Sequence, residues 1–554
     1  MTKHFFLALP VSAIICFVAG PSWAQTDSGL RGPAAGTLQF NAMQNYFLTG
    51  KLPQTPPIPH PPLISPNPTS GQPASQNETK LFIEGIRRAG QLESTCDTCA
   101  MVPDGSDVLG RNEIDPIFPQ FTTNSNGLGA RHNSDQCFAC HAQPTLGGSA
   151  GFLVPNPQQV ALRQQPPQTP ENPEFNLIPH RFGKQNTVPF FEQQTGPVRE
   201  VRFIYKVDPA TGNFLRDQNG NKIFDGGVHQ LWIVKGIQGD QTITQCAITQ
   251  PNFVMQAQQS NLALRIPTPM LGLGLIDSIQ DSEILARQRL AQQQNGALAL
   301  GISGHPNRSG NDGTITRFGW KAQNKSITMF AGEAYNVELG ITNELFPTAT
   351  EEDPACQGTN KPEPNDVTRT QNDDVGPPAN QSFFNPIHIM ADWMHFQLLM
   401  RFTDAPAPVA NPSASAQRGA ATFNQIGCGL CHTPQMMTAP SMNSLVLQNR
   451  PVNLFSDLLV HHMGPGLADG VSQGQAGPDE FRSSPLWGIG QRIFFLHDGR
   501  TRDLLQAIEA HQSDAGAGAG GLFYQASEAN QVINNFNALS KNDKQGILDF
   551  LRSL

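Results

Sequence analysis

Two short strings carry residue types at a spacing that points to one chemistry: Cys137-Phe138-Ala139-Cys140-His141 and Cys428-Gly429-Leu430-Cys431-His432. Each is C-x-x-C-H, the attachment pattern of c-type haem. Two thiols three residues apart lie on one helical turn, so both can form thioethers to the vinyl groups of one porphyrin. The His that follows then brings its imidazole under the iron as an axial ligand. Zinc would want a second thiol or imidazole pair at short spacing, and neither string has one nearby. Two complete copies are also hard to reconcile with a redox C-x-x-C followed by His by accident. The strings therefore predict two covalently bound haem c groups, with His141 and His432 as proximal iron ligands.

These sites need elements to hold them. Gly419, Phe423 and Cys428 predict an opening helix just before the second string, and 543–554 reads as a short closing helix. Upstream, a helix is expected near Glu78, where Leu81, Phe82 and Ile86 repeat at helical spacing. Residues 198–206 alternate, as in Val201-Arg202-Phe203-Ile204-Tyr205. Turns at Pro209-Ala210-Thr211-Gly212 and Gln218-Asn219-Gly220-Asn221 follow, then 228–234, which predicts inserted β-hairpins. Asp217, Asn219 and Asn221 resemble the start of a calcium loop, but Lys222 replaces the required Gly, so a hairpin turn is the better reading. Residues 276–300 and 383–402 are helical in pattern, a charged Pro-rich loop spans 347–380, and Ala405-Pro406-Ala407-Pro408 marks a linker. A faint internal duplication pairs Phe318-Gly319-Trp320-Lys321-Ala322 with Phe495-Leu496-His497-Asp498-Gly499-Arg500, each ahead of a helical stretch (327–339 and 503–511). The expected fold is mainly α: two cytochrome c-like haem domains with inserted β-hairpins and long irregular loops.

The N-terminus predicts export. Lys3 and His4 precede an apolar run over residues 5–20, and Ser22-Trp23-Ala24 offers a cleavage site after Ala24. That run is short and contains Pro10, which argues against a membrane anchor, and no later segment reaches the ~18 apolar residues of a membrane span. The domains expected are a signal peptide at 1–24, a Pro-rich disordered leader at 25–79, an N-terminal haem domain with the hairpin insertion at 80–405, and a C-terminal cytochrome c-like domain at 406–554. Covalent haem on an exported chain implies the periplasm. Beyond the haem cysteines the mature chain keeps Cys96, Cys99, Cys246 and Cys356, an even number compatible with disulfides whose pairing stays open. The 554 residues carry 15% charged side chains and a formal net charge of −9. With no basic patch, nucleic acid is not an expected partner.

With these residues assembled, the chain resembles the di-haem oxidoreductases classed with peroxidases, relatives of the bacterial di-haem cytochrome c peroxidases. The resemblance covers residues 80–554 and rests on Gly127-Leu128-Gly129 before the first string and on Gln143-Pro144 with Gly147-Gly148 after it. Further matches are Arg265-Ile266-Pro267-Thr268-Pro269, Gly272-Leu273-Gly274-Leu275 and Arg317-Phe318-Gly319-Trp320-Lys321-Ala322. Asp457-Leu458-Leu459, Met463-Gly464, Leu486-Trp487-Gly488 and His497-Asp498-Gly499-Arg500 complete it. One departure stands after His511, where Gln512-Ser513-Asp514-Ala515 replaces an expected Gly-Glu-rich run.

The resemblance implies two dissimilar irons, one open to peroxide and one capped on both sides. His511 stands at a position similar to the distal axial Met, with His461, His462 and Met463 as competitors. No strong distal candidate appears for the first haem; His132, His180 and His305 read as structural. Glu338, eighteen residues after Trp320, resembles the distal acid, and Trp320 the tryptophan between the haems. Lys321, Arg317, Asp498 and Arg500 are implied propionate contacts, His497 a hydrogen-bonding residue beside the second haem, and a calcium ion a further family cofactor. The expected activity is reduction of hydrogen peroxide with electrons from a small cytochrome c or cupredoxin. The alternatives are a di-haem oxidase or oxygenase acting on a protein or organic substrate, and a non-enzymatic electron carrier.

Overall fold

The computed structural model describes Gln25 and Asp27, short pieces within 82–126, residues 128–143, 147–152, 172–176, 186–233, 248–293, 299–348, 390–440 and 447–554. The expected signal peptide, nearly all of the leader, Cys96, Cys99, Cys246, Cys356, His180 and most of the 347–380 loop lie outside the described residues.

Helices build the two main cores. The longer ones are α1 (Asp281–Gln293), α2 (Ile327–Leu339), α3 (Asp392–Phe402) and α4 (Ala414–Gln425). The short α5 (Leu504–Glu509) precedes α6 (Asn530–Ala538) and α7 (Lys541–Ser553). Ser326 caps α2 by accepting from the Met329 amide, and Gly340, at φ +71°, ends it in a left-handed turn that glycine adopts without strain. Tyr335 of α2 packs edge-on against Phe396 of α3, ring centroids 5.2 Å apart. The apolar cluster around them runs from Phe82 to Leu459, so it crosses the 405/406 boundary expected between domains.

α4 and α7 cross at two glycines. A Cβ on Gly419 would stand 1.8 Å from the Gly546 carbonyl oxygen, so the contact exists only because Gly419 carries no side chain there. Around it Ala416 and Phe423 bury against Ile547, Phe550 and Leu551, with Leu504 of α5 and Phe536 of α6 closing the second core.

The remainder is less helical than expected. Among the described residues every sheet has two strands, chiefly β1 (Glu200–Phe203) with β2 (Leu262–Arg265) and β3 (Val460–His462) with β4 (Glu480–Arg482), both antiparallel. The content is therefore mixed, and the cause is compositional: 51 Gly and 46 Pro repeatedly interrupt backbone pairing. The hairpin insertion is present, with bridges Tyr205↔Phe224, Val207↔Phe214 and Arg216↔Lys222. Asp217 Oδ1 accepts from the Asn219 and Asn221 amides, each at 2.8 Å, the hydrogen bonding of a turn.

The duplicated strings fold alike. Phe318 bridges Asn324 and Phe495 bridges Thr501, each closing a loop of the same length. Positive φ recurs at matching steps, Gly319 (+84°) and Ala322 (+51°) in one, Leu496 (+68°) and Gly499 (+65°) in the other. Ser326 and Asp503 then cap the helices that follow. Trp320 and His497 occupy equivalent positions in the two turns.

Candidate functional site

The first C-x-x-C-H string forms a single helical turn, Cys137–Cys140, docked on the end of α2. The last carbonyls of a helix lack internal partners. Here the Glu338 carbonyl accepts from the Asn133 amide (2.6 Å), and the Leu339 carbonyl from the Gly129 amide (2.9 Å). Gly129 is needed for that approach, since a Cβ would come within 2.6 Å of Gly340. Docking fixes the string beside the Glu338 side chain.

Cys137, Cys140 and His141 line a cavity together with Trp320, Met270, Met400 and Glu338. The His141 Nδ1 lies 3.2 Å from the Gly148 carbonyl, so as N–H donor it leaves the Nε2 lone pair for a metal. Burial lowers the His141 pKa to about 4, keeping the ring neutral as a ligand must be. Burial, followed by the charge of Glu200, pushes Glu338 up to about 8, against a 2.6 Å hydrogen bond from Asn133 Nδ2. Glu200, Arg202, Arg265, Glu333 and Glu174 face the same cavity. None of these five was singled out from sequence as a site residue; the alternation that predicts β1 puts Glu200 and Arg202 on one face but not toward which cavity.

The second string makes a tighter turn, Cys428–Leu430, and enters a second cavity. His432 Nδ1 lies 3.1 Å from the Phe455 carbonyl, again freeing Nε2. Burial, then the nearby His511, lowers the His432 pKa to about 4. His511 follows α5 and lines this cavity, with Nδ1 2.8 Å from the Ala507 carbonyl of α5. Both nitrogens of His461 are taken, Nε2 by Asp457 (3.1 Å) and Nδ1 by Glu528 (2.9 Å). His462 is held likewise by Asp479 (3.0 Å) and Glu480 (3.2 Å). Neither has a lone pair to offer an iron; Met463 lines the cavity and keeps that capacity. Elsewhere, His132 turns Nδ1 to the Gly129 carbonyl and His305 turns Nε2 to Glu480.

Trp320 lines both cavities. Its indole N–H donates to the Ile266 carbonyl (2.7 Å), and the Ile266 amide donates to the His497 carbonyl (2.7 Å). The Trp320 and His497 rings meet edge to face at 6.4 Å, and His497 stacks on Phe481 at 4.3 Å. The two halves of the duplication thus join at the partition.

The expected propionate contacts are corrected. Lys321 is fully buried with its ammonium on the Gly477 and Glu480 carbonyls (2.9 Å each) and Asp469 (3.3 Å). Arg317 turns to the Ile279 carbonyl and Asp281, while Arg500 pairs with Asp498 and the Gly466 carbonyl. A buried cation takes the nearest fixed acceptor, and these chains have protein ones. Arg482, buried, and Arg492, partly buried, differ in lining the second cavity, where Arg482 Nε and Arg492 Nε and Nη2 find no acceptor among the described residues; Arg317 Nε is likewise unpartnered but lines neither haem cavity. Sequence offered no signal for them, since only burial distinguishes them from surface arginines.

These donor sets fit haem. Each cavity presents two thiols and a neutral imidazole with one nitrogen open, and the second adds orphaned guanidinium N–H groups suited to propionates. The described residues contain no group of three or more His, Cys, Asp or Glu arranged to hold a metal ion directly.

A family model described as "Di-haem oxidoreductase, putative peroxidase" matches residues 250–554, over half of the chain. Among solved structures the chain is similar to a MauG-like protein associated with microbial copper homeostasis, at 17% identity over 50% of this chain and 91% of that one, TM-score 0.26. Another is Kuenenia stuttgartiensis hydrazine synthase, at 18% identity, 31% of this chain and 56% of that one, TM-score 0.18. No curated protein matches.

Proposed function

From a chain that belongs to the di-haem oxidoreductase family, we propose a periplasmic enzyme that reduces hydrogen peroxide to water with electrons from a small redox protein. Haem, bound covalently through Cys137 and Cys140 and through Cys428 and Cys431, would supply a redox-active iron in each cavity. The observation that carries the reading is Glu338: a carboxyl held protonated to about pH 8, lining the cavity that His141 enters.

Each peroxide consumes two electrons and two protons to give two waters. A protonated Glu338 donates to the departing oxygen as the O–O bond breaks, so that it leaves as water, and once reprotonated it gives the second proton that completes the other water. Asn133 Nδ2 fixes the carboxyl that does this. The apolar walls around it, among them Val198, Ile266 and Phe330, keep bulk water from competing. Trp320 passes electrons from the His432 side to the His141 side, a role supported by its place in the wall of both cavities. His511, whose Nδ1 is spent on the Ala507 carbonyl, would join His432 in holding the second haem, leaving exchange chemistry to the first site.

Steady-state peroxide consumption with a reduced cytochrome c or cupredoxin tests this. Glu338→Gln is expected to lower kcat on the order of 10²–10⁴-fold, the range for a positioned acid–base group. Oxygen uptake on an organic substrate without peroxide turnover would sink the reading. The export signal at Lys3 to Ala24 supports the periplasm, and a mature N-terminus at Gln25 by mass spectrometry is the expected result.

A further inference from the structure

Glu338 does not act on its cavity alone. Glu200 and Arg202, two residues apart on β1, share a face of that strand and line the same cavity. The β1–β2 register sets Glu200 directly opposite Arg265. The Glu200 and Glu338 carboxyls lie within hydrogen-bonding reach of each other. Two carboxyls so placed hold one proton between them, because like charges in contact cannot both ionise.

The surroundings decide where that proton rests. Burial opposes ionisation of Glu200, but Arg202 and Arg265 outweigh it and hold its pKa below the ordinary value. Arg202 Nε donates to Glu200 Oε1 at 2.8 Å, and Arg202 Nη1 to the Gly226 carbonyl at 2.8 Å. On the other side Asn133 donates to Glu338. Glu333 from α2 itself and Glu174 from the 173–176 turn are the remaining carboxyls facing the cavity. Glu333 is raised by burial, and Glu174, which accepts from the Trp232 indole, is raised well above the ordinary range by burial. Glu200 is thus the anionic member of the set. Its side chain keeps 19% of its surface open and that of Arg202 11%, on the strand that leads out into the hairpin insertion.

We propose that Glu200 recharges Glu338, the two carboxyls forming a shared-proton relay from the hairpin side of the cavity to the reacting oxygens. This rests on Glu338 being the acid of the proposed peroxide reduction. Both solvent protons consumed per peroxide must reach the cavity. In each transfer the Glu338 O–H bond breaks as its proton passes to oxygen. Glu200, protonated by a solvent hydronium ion that is left as water, then gives its proton to the Glu338 carboxylate and returns to its ionised form beside Arg202. No electron moves in this step; its net result is one proton carried inward.

The test uses haem-loaded protein. Infrared titration follows the carbonyl stretch of a protonated carboxylic acid, assigned to Glu338 by its loss in Glu338→Gln. In Glu200→Gln the midpoint of that band is expected to fall toward the ordinary carboxyl range, since a neighbouring negative charge is gone. At a pH where the band shows Glu338 protonated in both proteins, Glu200→Gln is expected to slow peroxide turnover about 10²-fold, the low end of a proton-transfer contribution. Glu200→Asp, or added acetate, is expected to restore part of it. An unmoved midpoint, or full turnover by Glu200→Gln at that pH, overturns the relay. A moved midpoint in a protein that consumes no peroxide supports the shared proton and overturns the peroxide reading instead.

Discussion

His511 and His461 both face the second cavity, and their hydrogen bonds separate them. His461 is clamped at both nitrogens by Asp457 and Glu528, whereas His511 spends one nitrogen on the Ala507 carbonyl and keeps the other. His511→Ala is therefore expected to change the low-spin electron paramagnetic resonance signature of the second haem. His462→Ala, at a partly exposed ring held by Asp479 and Glu480, is expected to leave it intact. An unchanged signal in His511→Ala would move the assignment to Met463. The same reasoning separates the cations: Arg482 and Arg492 bring to the cavity wall N–H groups with no acceptor among the described residues, and Lys321 brings none because Asp469 and two carbonyls hold it.

Among the elements, the α4–α7 crossing is the most sharply specified. It depends on Gly419, whose backbone meets Gly546 where a Cβ on Gly419 would collide. Gly419→Ala forces the helices apart and is expected to cost about 1–3 kcal/mol, as overpacking does. A lowered thermal midpoint, measured against Gly516→Ala, where a Cβ meets nothing within 4 Å, checks it. Equal midpoints would mean that the crossing relaxes freely. The paired turns at 318–324 and 495–501 show a second kind of specification: one backbone pattern, used twice, aims Trp320 and His497 at a common partition.

For the whole molecule, long-range ion pairs tie distant segments and set its acid limit. Asp27 meets the buried Arg552 guanidinium through two oxygens, at 2.6 and 2.5 Å, which fixes a point in a stretch read from its composition as a free leader. Arg552 accounts for this, because a buried guanidinium calls for an anion. Asp27→Asn is expected to destabilise the fold by about 1–3 kcal/mol, read from the denaturant midpoint. At Glu528 burial favours the neutral form, but the His461 hydrogen bond and charge outweigh it and lower the pKa to about 2. A depressed carboxyl lends stability that is complete above its unfolded value, 4.5, and is lost as pH falls through about 2. Unfolding free energy should decline across that window, and less steeply in Glu528→Gln; parallel curves would assign the acid limit to other carboxylates.

The strings C-x-x-C-H and the alternation of 198–206 with its two turn signals are local, and the sequence alone determined them. Each follows from the reach of a few bonds or from a periodicity of two or 3.6. Trp320, Glu338 and His511 came only from the family resemblance. Tertiary structure decided what depends on distant segments meeting. Glu200 sits 138 residues from Glu338 in the chain, and their shared cavity arises only once β1 packs near the end of α2. Arg317 and Lys321 look like propionate partners in a motif, yet the acceptors that claim them come from Asp281 and from 469–480. Burial and partner choice are properties of the folded whole, because desolvation and hydrogen bonding are settled by what surrounds a group, not by its neighbours in sequence.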